Sequence, residues 1–196
     1  MQHSLNKLFE VASAQQGYFT AAQAVACGYP TSSHVYHLKA GSWKRDFRGI
    51  YRLTRFPETD DAQYALWSLW SRNRQGVPQG VYSHETALAL FEISDLMPRR
   101  LHMTVPPNFR RNAAIPAILT LHKSWVGEEE IEERQGYAVT KPIRTLADLL
   151  SADSVSPDHL RQALKEALNR GLITRAEIHG HPLRRDLENL RRGGNQ

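Results

Sequence analysis

Glycines at positions 17, 28 and 41 cut the first forty residues into three short segments, and each segment reads as a helix. In the first, Leu5, Leu8, Phe9 and Ala12 follow helical spacing behind Ser4, a residue type suited to capping. Gly17 is placed to end it, because the position after a helix favours a left-handed residue. Thr20-Ala21-Ala22-Gln23 has capping-box spacing and opens a second, short helix that Gly28 ends. A turn through Tyr29-Pro30 leads to Thr31 as the cap of a third helix over about 32–40, closed by Gly41. Two short helices joined by a brief turn behind a support helix is the helix-turn-helix order.

The next eleven residues, Trp43 to Leu53, read as two short strands over 43–47 and 50–53 around a turn at Arg48-Gly49. Such a hairpin after the third helix is the wing of a winged helix. Charge singles out the same segment. Residues 1–56 hold seven basic side chains against Glu10 and Asp46, while the rest of the chain carries eighteen of each sign. The whole formal excess of +5 therefore lies in the N-terminal quarter, with six of its cations between positions 39 and 55. Clustered cations of this kind are the footprint of a polyanion site.

If Val35 and Leu38 face inward, the opposite face of the third helix carries Ser33, Tyr36, His37 and Ala40, with Ser32 and Lys39 on its flanks. The expected DNA-contacting set is Ser32, Ser33, Tyr36, His37 and Lys39 on the helix. Lys44, Arg45, Arg48 and Arg52 complete it from the hairpin.

These residues resemble a known family. Gly17-Tyr18-Phe19-Thr20-Ala21-Ala22-Gln23-Ala24, Gly41 and Arg48-Gly49-Ile50-Tyr51-Arg52-Leu53 are similar to the "GxFTxxQA…G…RGVYRL" pattern of AbiEi-type antitoxins, with Ile50 in place of valine. These antitoxins belong to type IV abortive-infection toxin–antitoxin systems of bacteria. Further along, Ser83-His84-Glu85-Thr86-Ala87-Leu88 with Asp95-Leu96-Met97-Pro98 is similar to their "SHESAL…LSDxxP". Val139-Thr140-Lys141-Pro142-Ile143-Arg144-Thr145-Leu146-Ala147-Asp148-Leu149 is similar to "VTxPxRTLxDL". The resemblance runs in family order from residue 17 to about 150. It implies a DNA-binding autorepressor acting on promoter inverted repeats. It also implies a C-terminal domain that counters a nucleotidyltransferase-class toxin without a stable complex.

The rest of the sequence predicts an α+β protein, a winged helix-turn-helix over 1–55 followed by a mixed α/β domain over 60–196. Phe56-Pro57-Glu58 reads as a linker. A helix is expected from about 60 to 74, with Trp67 and Trp70 in packing roles, and another behind Ser83 as N-cap. Strands are expected at 101–105, 118–122 and 137–140, and the acidic run 128–133 reads as a solvated segment. Pro142 and Ser156-Pro157 open two further helices, and on the first of them Arg144 and Asp148 are spaced for an i, i+4 ion pair. Thr174-Arg175-Ala176-Glu177 is a second capping box, and the tail from Arg184 is a helix that frays at Gly193-Gly194.

No catalytic constellation stands out. None of the six lysines has an acidic residue two positions before it, which counts against a restriction-type nuclease. His179-Gly180-His181 lacks partners at metal-ligand spacing, and neither a P-loop nor a dinucleotide fingerprint is present. No enzymatic activity, metal or cofactor is expected. The single cysteine, Cys27, reads as a small buried apolar residue in a reducing cytoplasm. No signal peptide or membrane span is apparent, so a cytoplasmic chain is expected. Two other readings stay open: a winged-helix regulator whose second domain senses a ligand or partner with no toxin involved, and an enzyme with a winged-helix accessory domain.

Overall fold

In the computed structural model, which describes residues 2–193, the chain is α+β and divides into two compact units. Met1 and Gly194–Gln196 lie outside the described residues, and with them Gly194, where the tail was expected to fray. The first unit comprises Met1–Gly80 with Glu133–Ala138, the second Val81–Glu132 with Val139–Gln196. The expected boundary at 55–60 therefore differs from the compact division. The helix after residue 60, assigned from the sequence to the second domain, groups with the first unit.

The first unit runs α1 (Gln2–Ser13), β1 (Tyr18–Thr20), α2 (Ala21–Ala26), α3 (Thr31–Lys39), β2 (Trp43–Phe47), β3 (Ile50–Leu53) and α4 (Ala62–Trp70). The expected hairpin strands appear with their expected bounds. The three-residue β1 has no counterpart in the sequence reading, and it completes a β1-β3-β2 antiparallel sheet. The capping box forms as read: Thr20 Oγ1 accepts from the Gln23 backbone N–H, and Gln23 Oε1 accepts from that of Thr20, at 3.1 and 2.8 Å. Ser4 instead lies inside α1, and Thr31 inside α3, whose N-cap is Pro30 without a side-chain bond. At Gly17 the backbone has φ +85°, and a Cβ there would come within 2.7 Å of the Phe56 ring. Position 17 thus demands glycine for two reasons.

Side chains alternate across the small sheet. Phe19, Tyr51, Trp43 and Arg45 share one face by register, while Tyr18, Arg52 and Lys44 share the other. On the first face Leu8, Ala12, Ala24 and Cys27 join Phe19, Trp43 and Tyr51 in the core, with Leu38 packed against them. Burial raises the Cys27 thiol pKa, in keeping with its reading as a small apolar residue. Helix α4 is shorter than expected. It ends where Ser71 Oγ turns back to the Ser68 carbonyl and also accepts from the Gln79 and Gly80 N–H groups. Trp70 is fully buried, and Trp67 meets Phe47 edge-on at 5.5 Å, so both tryptophans pack.

The second unit contains β4 (Val81–Tyr82), α5 (His84–Leu90), β5 (Leu101–Val105) and β6 (Leu119–Lys123). These are followed by a 3-10 turn (Glu128–Glu130), β7 (Ile131–Arg134) and β8 (Tyr137–Thr140). Four helices complete it: α6 (Pro142–Ala152), α7 (Pro157–Asn169), α8 (Arg175–Gly180) and α9 (Arg184–Arg192). Its sheet has the order β6-β5-β4-β8-β7, with residues 133–138 grouping with the first unit. The acidic run that reads as solvated loop is therefore a 3-10 turn leading into a strand. The Thr174–Glu177 capping box forms, and Ser156 caps α7. Ser83 occupies the N-cap of α5, but its hydroxyl makes no capping bond. Among the described residues no helix is long and apolar enough to cross a membrane.

Candidate nucleic-acid interface

The orientation of α3 is set by aromatic rings. Trp43, the first residue of the wing and only 4% exposed, stacks on His37 at 4.5 Å and 19°. It also meets Phe19, Tyr29, His34 and Tyr51 at centroid separations of 4.8–5.8 Å. His34 is buried, its Nε2 3.0 Å from the Tyr29 carbonyl. Imidazoles thus fill places where aliphatic side chains would be anticipated, and they lock the helix to the wing.

This packing turns α3 away from its expected orientation. Val35, expected inside, is 56% exposed, whereas His34 faces the core. His37, expected on the reading face, is stacked on Trp43, and its Nδ1 lies 3.3 Å from Ser42 Oγ. Burial lowers its pKa, so near neutral pH it supplies no cation for a phosphate. Ser33 is half-buried and donates its hydroxyl to the Pro30 carbonyl. The exposed stripe is Ser32, Val35, Tyr36 and Lys39, spaced i, i+3, i+4, i+7. Of the five helical residues expected at the DNA, Ser32, Tyr36 and Lys39 remain on this face.

The wing cations are sorted by strand register. Arg45 lies on the sheet face that carries Trp43 and Tyr51, the face against which α3 packs, and is exposed. Arg48 is exposed at the tip, where Gly49 at φ +72° supplies the left-handed turn residue. Lys44 and Arg52 point to the opposite face. Lys44 pairs with Asp46 at 3.0 Å. Arg52 is 5% exposed. It donates to the Phe56 and Pro57 carbonyls at 3.2 and 2.7 Å, and its guanidinium lies 5.7 Å from the Tyr18 ring centre. Arg52 therefore fastens the segment after the wing, which the sequence reads as a linker. Around Lys44 and Arg52 a depression also holds Asp46, Glu58 and Asp60, so that face carries no cationic excess. On the α3 side Lys39 and Arg45 are exposed, and Arg48 is exposed at the tip of the hairpin.

The second unit holds a polar cluster absent from the sequence reading. Parallel pairing sets Thr104 beside His122 and His102 beside Thr120. His102 Nδ1 lies 3.1 Å from His122 Nε2, and its Nε2 lies 2.6 Å from a Glu85 carboxylate oxygen. The His122 ring stacks on His84 at 3.6 Å. His84, with φ +53°, approaches Ser83 Oγ at 2.9 Å, and Ser83 Oγ accepts from Thr104. These bonds occupy the serine hydroxyl that was expected to cap α5. Burial lowers the pKa of all three histidines, that of His84 to about 3, and raises that of Glu85. Near neutral pH the His102–Glu85 contact is therefore a hydrogen bond from a neutral imidazole.

Beside this cluster Arg144 pairs with Asp148 at 2.8 Å, as the i, i+4 spacing suggests, and also with Glu130. Among the described residues no three His, Cys, Asp or Glu side chains converge as metal ligands. Ser83 is fully buried, which leaves its hydroxyl no access to a substrate.

Residues 6–54 match the family described as "Transcriptional regulator, AbiEi antitoxin". The match runs from α1 to the end of the wing and agrees with the resemblance seen in the sequence. Over this segment the chain is similar to a family of transcriptional regulators. No curated protein matches the chain. A similar solved structure is the RV2827C protein from Mycobacterium tuberculosis, with a TM-score of 0.57 and 12% identity over 98% of this chain and 78% of that one. At that identity the likeness concerns the fold.

Proposed function

We propose that this chain is a DNA-binding antitoxin that represses its own operon by gripping inverted repeats in the promoter through its winged helix. One observation carries the reading: the exposed Ser32–Val35–Tyr36–Lys39 stripe lies on the side of the wing that presents Arg45, while the acidic residues gather on the other side. A helix in the major groove with cations on the flanking phosphates has this layout. The family match over 6–54 supports it. A reporter driven by the chain's own upstream DNA tests autorepression. Expression of the protein should silence it, and expression of Tyr36→Ala should not.

The second unit, in this reading, counters a nucleotidyltransferase-class toxin without forming a lasting complex, in the cytoplasm and as part of phage defence. The resemblance over residues 82–149 supports this role. Co-expression with a neighbouring nucleotidyltransferase gene should restore growth. Failure to rescue would remove the antitoxin role and leave the regulator.

A second reading has its own observation. Glu85 and His102, each 15% exposed, lie in a cleft of about 350 Å³ walled by Leu96, Met97, Pro98, Arg99 and Arg100. A regulator that senses a small anionic ligand in its second unit would use such a cleft. A gene neighbourhood without a toxin, together with repression that responds to a metabolite, would favour it.

A further inference from the structure

Val35 stands out on the reading face. It is the one aliphatic side chain in a stripe whose other members are a hydroxyl, a phenol and an ammonium, and it lies at 56% exposure near the middle of a nine-residue helix. A β-branched residue there contributes less to helix stability than alanine would. It also does not serve the core, where His34, His37 and Leu38 fill the positions facing the sheet. Tyr36, 68% exposed, flanks it along the helix. Ser32 lies one turn toward the N-terminus, and Lys39 one turn toward the C-terminus.

Resting on the DNA reading above, we infer that Val35 reads the C5-methyl group of a thymine in each operator half-site. In the major groove the edges of A, G and C present hydrogen-bonding groups, and thymine alone presents a methyl. A branched aliphatic side chain cannot satisfy a donor or acceptor. Placed over one, it leaves a polar group desolvated without a partner. Over the thymine methyl it buries apolar surface on both sides. The aromatic lock at Trp43 fixes the rotation of α3, so the methyl contact is held in one register relative to the phosphates at Lys39 and Arg45. Specificity at this position therefore arises from shape and hydrophobic contact, while Tyr36 and Ser32 supply the hydrogen bonds.

The test uses the full chain and a fragment of its upstream DNA that it binds in preference to scrambled DNA. Each thymine is replaced in turn by deoxyuridine, which removes the methyl and keeps every hydrogen-bonding group. One thymine per half-site should weaken binding about fourfold, the effect of roughly one buried carbon. Val35→Ala should weaken binding to the unmodified fragment by a similar factor, become indifferent to deoxyuridine at that position, and keep the wild-type salt dependence. Because Val35 is exposed and alanine favours the helix, the variant should fold normally, which a urea midpoint no lower than that of wild type would verify. Specific binding that no deoxyuridine weakens, or a Val35→Ala variant as methyl-sensitive as wild type, would overturn the inference and leave the DNA reading standing. Absence of any preference over scrambled DNA would overturn the DNA reading itself, and the inference with it.

Discussion

Replacing Arg52 with alanine separates a structural cation from a DNA-contacting one. The side chain makes two hydrogen bonds to backbone carbonyls, lies over the Tyr18 ring, and approaches Glu58 at 3.8 Å. Hydrogen bonds from a charged donor contribute about 1.5–3 kcal/mol, and a desolvated cation–π contact up to about 2 kcal/mol. The Glu58 side chain is 87% exposed, so its pairing is screened and contributes little. Alanine also relieves the desolvation of a buried guanidinium, which offsets part of the loss. A net destabilisation of about 2–3 kcal/mol follows, visible as a lowered urea midpoint for the first unit. The salt dependence of DNA binding, measured where the variant is still folded, should be unchanged. Arg48→Ala should do the reverse, leaving stability within about 0.5 kcal/mol and flattening the slope of log K against log salt by roughly 0.9. An Arg52→Ala protein with an unaltered midpoint and a flattened slope would refute this assignment.

Three further perturbations probe the same account. Trp43→Ala removes the ring that joins α3 to the wing and should cost about 3–5 kcal/mol, with loss of DNA binding; Trp43→Phe should retain most of both, as read by thermal melts and mobility shift. Tyr36→Ala should relax sequence preference by about 1–3 kcal/mol with stability intact, whereas His37→Ala should lower stability through the lost stack, as a competition titration and a melt on each variant would show. Acid should destabilise the second unit. Its three clustered histidines have depressed folded pKa values, so stability is full above about pH 6.5 and declines as pH falls below it. For His84 the decline continues down to its folded value of about 3, at up to roughly 1.4 kcal/mol per pH unit. The raised carboxyl pKa values of Glu85 and Asp148 act with the opposite sign at lower pH. His84→Gln should flatten the unfolding profile between pH 6.5 and 5, and an unchanged profile would exclude the cluster as its source.

What could be read from the sequence was local. The wing strands follow from alternation around Arg48-Gly49, and both capping boxes follow from reciprocal side chains at fixed spacing. The rotation of α3 was hidden because its inward face is built from His34 and His37, which hydropathy counts as polar, while its one exposed aliphatic looks like core. Arg52 was misplaced for a related reason. Period-two alternation establishes that two faces exist, but the side on which α3 packs is a tertiary fact. His84, His102 and His122 are far apart in the chain, and only the parallel pairing of β5 with β6 and the seating of α5 bring them together. No spacing rule could have found that cluster, although the chain's nine histidines gave it material. β7 was masked by its own acidic residues.

The most direct test of the central claim is a mobility-shift titration of the chain on its own upstream DNA and on scrambled DNA, each at two salt concentrations. Tighter binding to the upstream fragment, with a salt slope that flattens in Arg45→Ala and Arg48→Ala but not in Arg52→Ala, is the result predicted. Equal and weak binding to both DNAs, or a slope that responds to Arg52 and not to Arg45 or Arg48, would contradict it.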